Sequence, residues 1–366
     1  MTQARHPDKY NPRQEGIFIP TRPARAAALF TIAILGAAAA LASACADAGF
    51  GRQLWTDQFT QAAAVQADIL FVVDNSGTMQ EEHDKMVDGF QSFIENVRES
   101  ETDFHIGVTT TDMDQDGEQG RLIEYDGYRY ITADMDPDTY TMVFKGMIDR
   151  IGTNGSGWEK GLWAAKSALY PQSEGGQSGE GGYNAGFLRA SATLAIIFVS
   201  DEDDCSDEYA PLPGEDTNEC YEYADTLTPA FEYIADYQAL KPSDDLVVAS
   251  GIIGLPGEET SADCGKYTGY RYIEVIDDLR GILGDICRPE FSDLLSEMGL
   301  YASGLQTRFT LSRTPDPESI EVKIDGTPTP SSDGWTYLED DNAIEFFGDA
   351  IPPRDSTVTI TYYPLR

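Results

Sequence analysis

Positive charge is what this chain has least of: 25 Lys and Arg stand against 63 Asp and Glu in 366 residues, a formal charge of −38. With no basic stripe to neutralise phosphates, a nucleic acid is not expected as a partner. An acidic coat of this kind suits solubility and cation-rich surroundings. Histidine is scarce as well, with three in the chain. His6 lies ahead of an apolar leader-like run, leaving His83 and His105 in the remainder, so a nucleophile and base pair for covalent catalysis is not expected. Of the five cysteines none stands in a C-x-x-C spacing or near a His in sequence, which argues against zinc. What remains, 41% apolar and 24% charged residues, is globular in type, with length enough for one large domain and one small one.

The one long apolar run, Ala26 to Leu41, follows Arg22 and Arg25 and closes on the small residues Leu41-Ala42-Ser43-Ala44-Cys45. It resembles a bacterial lipoprotein signal, which implies that Cys45 becomes the lipidated first residue of a protein anchored in the cell envelope, at the outer membrane or facing the periplasm. The usual Leu three places before the Cys is Ala42 here, so ordinary signal cleavage and an uncleaved anchor stay open as alternatives. Residues 46–66 read as a tether. In an exported chain the other four cysteines, Cys205, Cys220, Cys264 and Cys287, imply two disulfides with three possible connectivities. Proximity favours Cys205–Cys220 and Cys264–Cys287.

The stretch that organises the rest is Ala67 to Met79, ADILFVVDNSGTM. Ile69 to Val73 form the short continuous apolar run of a strand covered on both faces. Asp74, Ser76 and Thr78 then place three oxygen ligands in one tight turn ahead of an amphipathic helix. One carboxylate with two hydroxyls holds a hard cation without satisfying its demand for a further anion. Oxygen-only ligands favour Mg²⁺, with Mn²⁺ or Ca²⁺ as alternatives, over zinc. A competing reading makes Ser76 or Thr78 a helix cap.

This D-x-S-x-T turn resembles the metal-ion-dependent adhesion site of the von Willebrand factor type A (VWA) family. The resemblance implies a doubly wound, mostly parallel α/β sheet from 67 to about 305. It also implies two further ligands. Counting back from Leu162 along Gly152-Thr-Asn-Gly-Ser156-Gly-Trp-Glu-Lys-Gly-Leu162, the family's loop Thr corresponds to Ser156, with Thr153 as the competitor. The strand Leu194 to Val199 ends on Ser200-Asp201, and Asp201 matches the family's strand-end Asp. The runs GFLR and VSDEDDCS resemble those of bacterial VWA lipoproteins in particular.

Other segments carry their own expectations. Met86, Phe90, Phe93, Ile94 and Val97 form one helical stripe, while His83 reads as an exposed polar residue and His105 as structural. Asp112, Asp114 and Asp116 open a D-x-D-x-D-G pattern resembling a calcium loop, a possible second cation site. Ile123 holds its twelfth position, however, and no helix precedes it. Asp126-Gly127 signals a two-residue hairpin. Pro137 opens a helix. Residues 171–186 read as a flexible insertion, and Asp203 and Asp204 as solvent-exposed. Alternation at Ile320, Val322 and Ile324, and again at Val358, Ile360 and Tyr362, marks a small β-sandwich-like module over 306–366.

These features point to an envelope-anchored protein that binds a protein partner through its metal, an exposed carboxylate of the partner taking the open position. No enzymatic activity is expected. A structural metal in an envelope scaffold is one alternative. A Mg²⁺-dependent phosphoryl-transfer enzyme of the haloacid dehalogenase type is another, but it needs an Asp where Ser76 stands.

Overall fold

The structure is a computed structural model that describes residues 53–61, 66–114, 117–171, 176–208, 220, 223–257 and 267–365. Cys45, Asp116 and Cys264 lie outside the described residues. From residue 52 onward the chain forms one unit.

Its centre is a six-stranded sheet: β2 (Gln66–Val73), β3 (Asp103–Thr110), β4 (Ile131–Thr132), β5 (Thr193–Ser200), β6 (Val247–Ile253) and β7 (Arg280–Asp285), in the order β4-β3-β2-β5-β6-β7. All neighbours run parallel except the short edge strand β4. A central parallel strand must bury both faces, and β2 does: Ile69, Phe71 and Val73 point into one core, Leu70 and Val72 into the other. The first core is closed by α1 (Gln80–Glu99), α2 (Pro137–Ile151) and α6 (Ser292–Ala302). There Phe71 meets Phe93 and Phe144 edge-on, with ring centroids 5.2 and 5.3 Å apart. The second core is closed by α3 (Gly161–Leu169), α4 (Ala230–Ala239) and α5 (Tyr270–Asp278). Helices on both faces make this the doubly wound α/β sheet expected. Chain order reverses between β2 and β5, and ligands of such sheets bind beyond the carboxyl ends of the strands at that crevice.

Local signals act as expected in several places. Asp136 caps α2 through the Asp138 N–H, and Pro137 occupies its first turn. Asp126 and Gly127 both take positive φ, and Tyr125 and Tyr128 exchange two 2.9 Å hydrogen bonds across them. That turn closes one bridge, not two extended strands.

The C-terminal stretch builds two small antiparallel sheets around a separate apolar core of Phe309, Val322, Ile344, Phe346, Val358 and Ile360. One contains β8 (Arg308–Thr310), β11 (Trp335–Leu338) and β12 (Ala343–Phe346). The other has β9 (Glu321–Ile324), β10 (Thr327–Thr329) and β13 (Thr357–Tyr362), together with β1 (Trp55–Thr60). This last strand corrects the reading of 46–66 as a tether: residues 55–60 pair with 357–362 in full register, from Trp55↔Tyr362 to Thr60↔Thr357. The strand is short and its partner lies some 300 residues away, so only the assembled sheet reveals it. Gln61 then fastens the exit of β1, donating to the Gln306 and Pro352 carbonyls at 2.9 Å each.

The insertion at 171–186 also departs from expectation. Its distal part is pinned, because buried Asn184 accepts from the Leu122 N–H and donates to the Gly120 and Ala168 carbonyls. An Asn that makes three backbone bonds cannot leave a free loop behind it.

Candidate metal centre

Three loops meet at the carboxyl ends of β2 and β5. The first follows β2. Asp74 is fully buried; its Oδ1 accepts from the Ser76 N–H at 2.7 Å and its Oδ2 from the Ser200 hydroxyl at 2.7 Å. The Ser76 and Thr78 hydroxyls lie 3.3 Å apart, Ser76 buried and Thr78 at the surface. Helix α1 begins only at Gln80, with Met79 at the N-cap position and no side-chain cap. Ser76 and Thr78 therefore lie in the turn ahead of the cap.

The second loop, 152–160, docks on the first through backbone. Gly155 N–H donates to the Asn75 carbonyl at 2.9 Å, and the Asn75 amide packs so closely that a Cβ on Gly155 would meet it at 2.1 Å. Only glycine allows this approach. Ser156 follows, its N–H on Asp112 Oδ2 at 3.1 Å and its hydroxyl accepting from the Trp158 N–H. Gly155 and Ser156 are thus the contact points with the neighbouring loops.

The third loop follows β5. Asp74 N–H donates to the Val199 carbonyl, and Asp201 lies close enough to act electrostatically on Asp74. Burial, reinforced by the Asp201 charge, pushes the Asp74 carboxyl up to about 6. Asp74, Ser76, Thr78, Ser156 and Asp201 thus come from three loops that touch one another.

The structure adds residues that sequence reasoning passed over. Ser200 was read only as the strand end, yet it holds Asp74. Glu159, three places after Ser156, is 1% exposed and lies beside Asp74. Its Oε2 accepts from the Thr111 hydroxyl, and its Oε1 has no donor opposite it. Burial first, then the Asp74 charge, raise the Glu159 carboxyl well above the usual range. The signal available for it was a charged residue inside an otherwise glycine-rich loop. His83 is corrected from exposed to buried: one turn into α1, it places Nε2 2.7 Å from the Asp74 carbonyl oxygen, and burial lowers its pKa. His105 is structural as expected, with Nδ1 2.8 Å from the Phe187 carbonyl.

Asp203 and Asp204 are corrected too. Both are buried, because they cap and clamp other elements. Asp203 accepts from the Arg271 N–H, and Asp204 from the Leu162 N–H, the Ser206 hydroxyl and the Arg271 guanidinium. Cys205–Cys220 is a disulfide, and Cys287 is disulfide-bonded. Asp112 spends its two oxygens on the N–H groups of Asp114 and Ser156, so it serves the Ser156 loop.

Among the described residues no three His, Cys, Asp or Glu side chains form a metal-holding group by themselves. Any ion here depends on hydroxyl and water oxygens beside the carboxylates. The oxygen-only donors, a buried Asp74 paired with no basic side chain among the described residues, and the orphaned Glu159 Oε1 fit a hard divalent cation.

No protein-family model matches the sequence, and no curated protein matches it. Among solved structures, the pilus adhesin SpaC from Lactobacillus rhamnosus GG, in its open conformation, is similar at a TM-score of 0.39 and 12% identity, over 84% of this chain and 40% of that one. Proximal thread matrix protein 1 from the mussel byssus is similar at 0.33 and 14%, over 70% and 51%. The chain spans about half or less of the length of these proteins. Likeness at this level carries no functional argument.

Proposed function

We propose that this is an envelope-anchored VWA protein, lipidated at Cys45, that binds a protein partner through a divalent cation, Mg²⁺ in the first instance. Asp74, Ser76, Thr78, Ser156 and Asp201 supply oxygens to the ion directly or through water. A carboxylate of the partner takes the remaining position, near exposed Thr78. The observation that carries this reading is Asp74 itself. A carboxylate buried at a strand end, facing another acid and paired with no basic side chain among the described residues, is costly unless a cation arrives. The ion, when bound, supplies positive charge and an exchangeable coordination position; the chain's residues orient it and keep its inner side dry.

The test is thermal unfolding with and without Mg²⁺, followed by capture of envelope proteins with and without chelator. Mg²⁺ at a hundred times its dissociation constant stabilises by about 2.7 kcal/mol. Wild type should show this gain and a chelator-sensitive partner. Asp74→Ala should lose both. A folded Asp74→Ala protein that captures the same partner in chelator would leave the scaffold reading in its place.

A further inference from the structure

We infer that Glu159 is the third anion of the metal centre and that it decides how strongly the centre holds its ion before any partner arrives. The inference rests on the proposed metal reading and changes its charge balance. The D-x-S-x-T resemblance accounts for two carboxylates, Asp74 and Asp201, which leave a divalent ion balanced and still open to a third. Glu159 places that third carboxylate inside the protein. It is 1% exposed, its carboxyl lies beside that of Asp74, and its Oε1 has no donor opposite it.

Its own neighbours show that it was not placed there to make an ion pair. Lys160, the next residue, turns away to Asp207 at 2.7 Å, and Arg271 is taken by Asp204 at 3.0 Å. The Thr111 hydroxyl and the backbone hold Glu159 in place: Lys160 N–H donates to the Thr111 carbonyl at 3.1 Å and Cys205 N–H to the Glu159 carbonyl at 2.6 Å. The residue is held by its neighbours on two loops and by Thr111, and its carboxyl faces two other acids, Asp74 and Glu202. Since no three acids among the described residues form a ready cage, Glu159 acts on the ion through its charge beside Asp74. It is a positioning and charge-setting residue of the centre.

Two consequences follow from Coulomb's law in a low-dielectric site. Removing the charge that the cation holds on Glu159, against the burial that otherwise keeps a proton there, weakens the hold on the ion. It also leaves the ion more positive, so an added carboxylate binds it more tightly. A purely structural role for Glu159 predicts neither the second effect nor the opposition of the two signs.

The probes are Mn²⁺, followed by titration calorimetry and by the relaxation of water protons around it, and acetate added to the Mn²⁺-loaded protein. Wild type should bind Mn²⁺ without any partner and respond weakly to acetate. Glu159→Gln, the same shape without the charge, should bind Mn²⁺ at least tenfold more weakly and acetate severalfold more tightly. Thr111→Val, which keeps the charge, should stay within about threefold of wild type for Mn²⁺. Equal Mn²⁺ and acetate affinities in wild type and Glu159→Gln would overturn the inference and leave the metal reading standing. So would a Glu159→Gln protein that loses Mn²⁺ with no gain for acetate. If Glu159→Gln does not fold, acetate on wild type decides alone: submillimolar binding to the loaded ion overturns the third-anion role. A folded wild type that takes up no Mn²⁺ removes the metal centre itself.

Discussion

Strand β2 carries a buried acid at each end, and the two are treated in opposite ways. Asp68, near its start, receives the Arg189 guanidinium at 2.7 Å and the Arg189 N–H at 2.6 Å, with Lys241 Nζ at 3.5 Å. Asp74, just past its end, receives the Ser76 N–H and the Ser76 and Ser200 hydroxyls, with no cationic side chain among the described residues, and faces Asp201 and Glu159. Where an acid serves the fold, the chain brings its own cations and donors to it. Where it lacks the cations, charge must come from outside or a proton must stay on. The comparison separates a structural carboxylate from a binding one using burial and partners alone.

The comparison is most strongly tested at the compensated end. Arg189→Ala strips the main partner from Asp68 while Lys241 stays, and should cost about 3 kcal/mol or more in urea unfolding, because a buried carboxylate is left under-compensated. The matching change at the other end should do the reverse. Asp74 has its folded pKa raised from 3.8 to about 6, so its contribution is fully present below the unfolded value and is lost as pH rises through about 6. Metal-free wild type should therefore lose up to about 3 kcal/mol of stability from this group between pH 4 and pH 7. Asp74→Asn should remove most of that loss, and unfolding of both proteins in chelator across this range checks it. An equal pH slope in the two would show that Asp74 is compensated after all. The smallest effect is expected at Ser200→Ala, which deletes one hydroxyl from Asp74 Oδ2 and should cost about 1 kcal/mol in chelator, measured by the same unfolding.

The central sheet was legible because buried parallel strands announce themselves. Ile69 to Val73 and Leu194 to Val199 are unbroken apolar runs, and each ends on the polar residues that the sheet then presents together. The C-terminal alternation was legible for the same reason of period. Strand β1 was not, since six residues with Thr and Gln between Trp, Asp and Phe acquire meaning only against Tyr362, Ile360 and Val358. His83, Asp203 and Asp204 were misread as exposed by their polarity. Each is buried because it satisfies backbone groups that no local rule assigns to it: the Asp74 carbonyl for His83, the Arg271 N–H for Asp203, the Leu162 N–H for Asp204.

By itself the sequence determined the strand-and-helix order, the turn that follows β2, and the five oxygen-bearing residues expected to share a cation. These follow from hydrophobic period and from residue chemistry at fixed spacing, both of which are local. Only the tertiary structure decided the electrical character of the site. Whether a carboxylate is compensated depends on which distant groups the fold brings within a few ångströms of it. At Asp68 the fold brings Arg189 and Lys241, and at Asp74 it brings Glu159 and Asp201.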